Sequence, residues 1–291
     1  MHPTLAALLN RGPVLTDGAW GTQLQERGLE PGEFPDLWNL SHPGPVAEVA
    51  RAYVASGSRI VLTNTFGANR LRLAETPRPE QLREINLAGV RLSREAAAGR
   101  AAVFASLGPS GRLLCNGYVT PEELHSAFLE QAQALAEGGA DGLVVETMSD
   151  LQEAAIAVAA ARQTGLPVVA CMVFDSGRDK DRTMMGTTPE QAAEGLVAAG
   201  ADAIGANCGQ GIEGFLPVCR RLRSACAQPI WIKANAGLPE RVDGVIRYRT
   251  TPEAFARWIP PLLEAGASFV GGCCGTSPAF IRAAAVHLPQ Q

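Results

Sequence analysis

The chain has 291 residues, 46% of them hydrophobic and 19% charged, with a formal net charge of -4. So many apolar residues exclude a disordered chain, and the small net charge, without runs of one sign, favours neither nucleic acid nor a membrane surface as partner. The length allows two ordinary domains or one α/β barrel of about 250 residues.

Residues 1–10 lack the basic leader and apolar core of a secretory signal. No apolar stretch reaches the roughly 18 residues of a membrane helix; the richest, 151–161, is broken by Gln152 and Glu153. The expectation is a cytoplasmic protein. Its seven cysteines, an odd number, are then reduced thiols rather than disulfide staples.

One pattern repeats along the chain. Short apolar, β-branched runs fall at 14–19, 59–65, 102–108, 142–147, 167–174, 203–208, 230–236 and 269–274. Each predicts a strand, and Ala-rich stretches of helical spacing lie between them. Thr120-Pro121-Glu122-Glu123, Thr188-Pro189-Glu190-Gln191 and Thr251-Pro252-Glu253 open helices with a Thr cap, Pro in the first turn and early acids. Glycines 57, 138, 139, 200 and 266 close helices just before the next strand. Repeated βα units impose parallel strands with right-handed crossovers. Eight of them fit a TIM (β/α)8 barrel, with a doubly wound open sheet as competitor. With no interdomain linker, residues 1–291 read as one domain. The loop 109–119 reads as the longest irregular insertion and is expected to cover the site.

Catalytic groups of such barrels stand at the C-terminal strand ends. Here those ends carry Asp17, Asn64 and Thr65, Glu146, Cys208, Asn235, and Cys273 with Cys274. Neighbouring strand residues point to opposite faces, so Cys273 and Cys274 converge only if the chain turns sharply, which the flanking glycines permit. Three thiolates with one open position make a catalytic zinc site, and soft sulfur ligands favour zinc; three ordinary core cysteines are the competing reading. Cys115, Cys171, Cys219 and Cys226 read as structural. The four histidines, at 2, 42, 125 and 287, avoid the strand ends, which disfavours a His-ligated hydrolase or a Cys–His pair.

Glu146 ends an apolar run, where a lone carboxylate is costly to bury; a bound ammonium or a salt bridge to an arginine would answer that cost. Asp17 is either a ligand or a turn former before Gly18, and Asn64 and Thr65 either bind or satisfy loop backbone. Lys233 shares a strand face with Trp231 and Asn235, which suggests an ion pair inside the barrel rather than a Schiff base.

Six segments carry a resemblance: Asp17-Gly18-Ala19-Trp20-Gly21-Thr22, Leu62-Thr63-Asn64-Thr65-Phe66, Glu146-Thr147-Met148, Asn207-Cys208, Ala234-Asn235-Ala236-Gly237 and Gly271-Gly272-Cys273-Cys274-Gly275-Thr276. In order and across nearly the whole chain, they resemble the homocysteine S-methyltransferase family, including the homocysteine-binding module of cobalamin-dependent methionine synthase. The resemblance implies zinc on Cys208, Cys273 and Cys274, with the homocysteine thiolate in the fourth position. It implies Asp17 and Glu146 on the substrate ammonium, and backbone amides near Gly18, Ala19 and Thr65 on its carboxylate. Asn235 would fill the fourth zinc position before substrate arrives. The product would be methionine.

One barrel leaves no length for a folate or cobalamin domain, so the methyl donor is expected to be a small molecule or to arrive on a separate corrinoid protein. The segments 177–189 and 233–239 look closer to the methionine synthase module and lean towards a methylcorrinoid; S-methylmethionine, S-adenosylmethionine and betaine stay open. Two other classes compete. One is a phosphate-binding barrel lyase or isomerase using Gly271-Gly272 and Lys233, the other a non-catalytic module that binds homocysteine or zinc.

Overall fold

The computed structural model describes residues 1–242 and 245–289. Eight parallel strands form one sheet. They are β1 (Val14–Leu15), β2 (Ile60–Val61), β3 (Ala102–Leu107), β4 (Gly142–Met148), β5 (Val168–Met172), β6 (Ala203–Gly211), β7 (Ile230–Asn235) and, after an antiparallel hairpin of β8 (Glu240–Val242) with β9 (Val245–Arg247), β10 (Ala267–Gly272). Their spatial order is β1-β10-β7-β6-β5-β4-β3-β2. Arg59 N–H donates to Leu15 O at 2.8 Å, which draws the edges β1 and β2 together. The result is the (β/α)8 barrel, and an open doubly wound sheet is excluded.

The caps form as the sequence implies. Thr120 and Thr188 each exchange reciprocal bonds with the third helical residue, and Thr251 accepts from Ala254 N–H. Gly200 closes its helix at φ +97°. β1 and β2 are shorter than their apolar runs; beyond Val61 the backbone turns to a side chain, and Leu62 N–H donates to Asp17 Oδ2 at 2.8 Å.

Period two sorts the barrel interior into layers. Phe104, Val144, Val169, Trp231 and Phe269 fill the lower part, with Leu5 of the first helix packed into the same cluster. The Trp231 ring stacks on Phe104 and tilts against Phe269, with centroids 6.1 and 5.0 Å away. Two residues further along their strands come Ser106, Glu146 and Lys233, all buried. A larger apolar shell lies between sheet and helices.

The loop 109–119 does not roof the site. None of its residues lines the cavity at the C-terminal strand ends, whose outer wall comes from residues 32–36 and from Phe66 and Arg72. The segment 173–188 is also longer without helix or strand.

The aromatic layer is the platform on which the polar residues stand. Trp231→Ala is expected to cost about 3–5 kcal/mol, read from urea unfolding. A loss below about 1 kcal/mol would mean that the barrel floor is not packed as described.

Candidate active site

A cavity of about 480 Å³ opens at the C-terminal ends of the strands. Cys208, Cys273 and Cys274 stand along one side of it, and their sulfurs lie within 4.8 Å of one another. Cys208 Sγ and Cys274 Sγ are 3.8 Å apart. Metal–sulfur bonds of about 2.3 Å in a tetrahedron set sulfurs roughly 3.8 Å apart, so the trio is spaced to hold a soft divalent cation.

Backbone distortion brings these thiols together. The pairing of β6 with β7 slips between Asn207 and Gly211, and Cys208 sits in the left-handed region at φ +61°. For a residue with a Cβ this conformation is strained and persists only where the surroundings enforce it. β10 stops at Gly272, after which Cys273 N–H donates to Ala234 O at 2.7 Å and Ala236 N–H to Cys274 O at 2.9 Å. The end of β7 therefore holds both cysteines of the turn. Gly275 completes the turn at φ +79°, and a Cβ there would lie 2.3 Å from the Tyr248 ring.

The thiols also share protons. Hydrogen bonds from Cys273 and Cys274 hold Cys208 down to about 3, while bonding to Cys208 pushes Cys274 up to about 12 and Cys273 well above the ordinary thiol value. The Asn235 side chain lies close enough to Cys208 to help lower its pKa, and its Oδ1 is buried without a partner. An orphaned carboxamide oxygen beside three sulfurs suits a cation that would take a fourth ligand.

Glu146 stands next to this group. The residue after it, Thr147, has φ +63°, and the pairing of β4 with β5 slips there. Ser106 Oγ donates to Glu146 Oε1, and Asn207 Nδ2 lies 3.4 Å from Oε2. Burial raises the Glu146 carboxyl, opposed by the nearby Lys233 charge and the Ser106 bond. No arginine pairs with it among the described residues, so the salt bridge weighed as the alternative is not formed. Asn207 joins the two halves of the site: Nδ2 donates to Thr147 Oγ1 at 2.7 Å and approaches Cys273 Sγ at 3.8 Å, while Oδ1 accepts from Thr147 N–H at 2.7 Å.

Several expected binding groups are otherwise engaged. Asp17 is fully buried and absent from the cavity wall. It accepts from Lys233 Nζ, from Trp20 Nε1 at 2.8 Å and from Leu62 N–H. Lys233 therefore forms the expected internal ion pair. Burial works to lower its pKa, but Asp17 and Glu146 outweigh that and raise it. Ala19 N–H is taken by Thr276 O and Oγ1, both at 3.2 Å, so it has no free proton for a carboxylate. Among the described residues, the N–H groups of Gly18 and Thr65 make no hydrogen bond. Thr65 itself is buried off the cavity wall, and its Oγ1 donates to Ser106 O at 2.8 Å. Asn64 Nδ2 serves loop backbone at Pro35 O, 2.8 Å away.

Ser106 and Asp36 escape the sequence reading, and Asn207 enters it only within a matching segment, with no role of its own. Ser106 had a signal, since it sits two residues after Phe104 on one strand. Asp36 had none: it reaches the cavity wall only through folding, where one oxygen accepts from Gly67 N–H at 2.9 Å.

Comparison with known proteins follows this geometry. The profile of the family described as "Homocysteine S-methyltransferase" matches residues 14–288. The methionine synthase of Mycobacterium tuberculosis (strain ATCC 25618 / H37Rv) is 29% identical over 98% of this chain and 25% of its own length. That of Mycobacterium leprae (strain TN) is 30% identical over 94% of this chain and 24% of its own. The chain thus spans about a quarter of these relatives. The metallated form of the homocysteine methyltransferase MmuM from Escherichia coli superposes with a TM-score of 0.80 at 24% identity, over 98% of this chain and 99% of that one, which shows a shared fold.

Asp36 yields a pH prediction. Burial raises its carboxyl from 3.8 to about 7. A carboxyl that keeps its proton longer when folded penalises folding increasingly as pH rises between those values, and by a constant amount above them. Asp36→Asn retains an oxygen for Gly67 N–H and should gain stability over the parent chain across that window. Urea unfolding at a series of pH values checks it; a difference that stays flat from about pH 4 to pH 8 contradicts it.

Proposed function

The chain belongs to the homocysteine S-methyltransferase family, and we propose that it is a zinc-dependent methyltransferase, one barrel domain carrying the whole site, that converts homocysteine to methionine. The observation that carries this reading is the cavity with three thiols on one side, a buried carboxylate next to them that forms no salt bridge among the described residues, and the unpaired Gly18 N–H on its wall. An amino acid bearing a thiol matches those groups one for one.

Cys208, Cys273 and Cys274 would hold the zinc, with Asn235 Oδ1 able to complete the set before substrate arrives. Bound there, zinc would supply ionisation of the substrate thiol, which alone has a pKa of about 8.5. Glu146 receives the ammonium. Ser106 and Asn207 fix the two oxygens of that carboxylate, so it is oriented before substrate enters. The Gly18 amide, on the cavity wall, donates to the carboxylate.

With the amino acid anchored at two points, its sulfur faces the cavity opening. The sulfur lone pair forms the new S–C bond to a methyl carbon approaching from that side. The bond from donor to methyl breaks, and its electron pair stays with the donor. No proton need move in this step, which suits a wall with no histidine. A methylcorrinoid is the favoured donor; S-methylmethionine, S-adenosylmethionine and betaine are the small-molecule options. Three thiols that must stay reduced suit the cytoplasm. The lysine-based lyase chemistry finds no support, because Lys233 is tied to Asp17.

The purified chain should carry about one zinc, lost on Cys208→Ser or Cys273→Ser and kept on Cys171→Ser. Glu146→Gln should keep zinc and weaken homocysteine by about 10- to 100-fold in calorimetry, the worth of a charged hydrogen bond. Homocysteine binding near neutral pH should release a proton, visible as a buffer-dependent enthalpy. Homocysteine affinity indifferent to Glu146→Gln, or zinc retained without Cys208, contradicts the assignment.

A further inference from the structure

Lys233 is one of only two lysines in the chain and is buried on β7, between inward-facing Trp231 and Asn235. It lines the cavity floor near two carboxylates, yet it bonds to Asp17 and not to Glu146. Asp17 passes the restraint onward. Its Oδ2 accepts from Trp20 Nε1 and Leu62 N–H, both at 2.8 Å, and so ties the segment 17–20 to the exit of β2. The far side of that segment is pinned separately. Tyr53 Oη donates to Ala19 O at 2.6 Å, and Thr276, which holds Ala19 N–H, donates its Oγ1 proton to Cys273 O at 2.7 Å. Between the two anchors stands Gly18, on the cavity wall.

The two carboxylates therefore do different jobs. We propose that Lys233 is a positioning residue: it holds Asp17 as an internal strut that aims the segment 17–20, with the Gly18 amide, into the cavity, and leaves Glu146 as the carboxylate that meets the substrate's ammonium. The part concerning ammonium rests on the functional reading above; the strut itself does not. Removing Lys233 strands a buried carboxylate, which is costly, whereas neutralising both partners removes the charge problem and keeps an oxygen for Trp20 and Leu62.

The test uses the zinc-loaded chain with three readouts: zinc content, homocysteine affinity by calorimetry, and hydrogen exchange of the Trp20 indole N–H by NMR, assigned with Trp20→Phe. Lys233→Met should keep zinc, weaken homocysteine at least about tenfold and speed Trp20 indole exchange at least about tenfold. The pair Asp17→Asn with Lys233→Met should recover most of both losses. Homocysteine binding unchanged or tightened by Lys233→Met overturns the proposal, because Lys233 would then be idle or in competition with the ammonium. So does a zinc-loaded pair variant with a protected Trp20 indole but no recovered binding, because Asp17 would then touch the ammonium itself. If Lys233→Met does not fold, the pair variant alone decides by the same criterion. If the parent chain fails to bind homocysteine, the functional reading falls, while Trp20 exchange still reports whether the strut exists.

Discussion

Three sulfurs from two strands, far apart in sequence but neighbours of β7 in the barrel, must converge on one point. A regular strand cannot deliver this, because its side chains alternate and a barrel already spends one face on the helices. The chain leaves regular geometry at each place where the site needs it: a left-handed Cys208, a slipped register at the end of β6, and a turn through Gly275. A left-handed residue with a Cβ costs about 1–2 kcal/mol. The hydrogen bonds from the Cys273–Cys274 turn to Ala234 and Ala236 are what hold the convergence in place.

The barrel interior beneath the sulfurs is graded. An aromatic floor excludes water, the Lys233–Asp17 pair and Glu146 lie above it, and the three thiols come last. Burial would make each of these charges costly alone. Lys233 offsets Asp17, so the carboxylate left over is Glu146, with its two oxygens already oriented. Asn207 reaches from Glu146 and Thr147 to Cys273, so the carboxylate and the thiols are set relative to each other by a single side chain.

Much of this was legible in the order of residues. The βα repeat, the Thr-Pro caps and the closing glycines state a barrel locally, in each unit, without tertiary information. The thiols stand at strand ends, so the barrel puts them on one rim, while their convergence needs the sharp turn that the flanking glycines permit. The inward position of Lys233 followed from period two alone. What was not legible depends on which partner a group finds in space. Asp17 reads as a free carboxylate until Lys233 reaches it across the barrel, and Ala19 as a free amide until Thr276 takes it. The outer cavity wall formed by residues 32–36, in place of the expected loop 109–119, depends on loop packing that no periodicity encodes.

The measurement closest to the central claim is X-ray absorption at the zinc edge of the loaded chain, with and without homocysteine. The expected first shell is three sulfurs at about 2.3 Å with one lighter atom, changing to four sulfurs when homocysteine binds. A shell with fewer than three sulfurs, or one that gains no sulfur from homocysteine, would contradict the account.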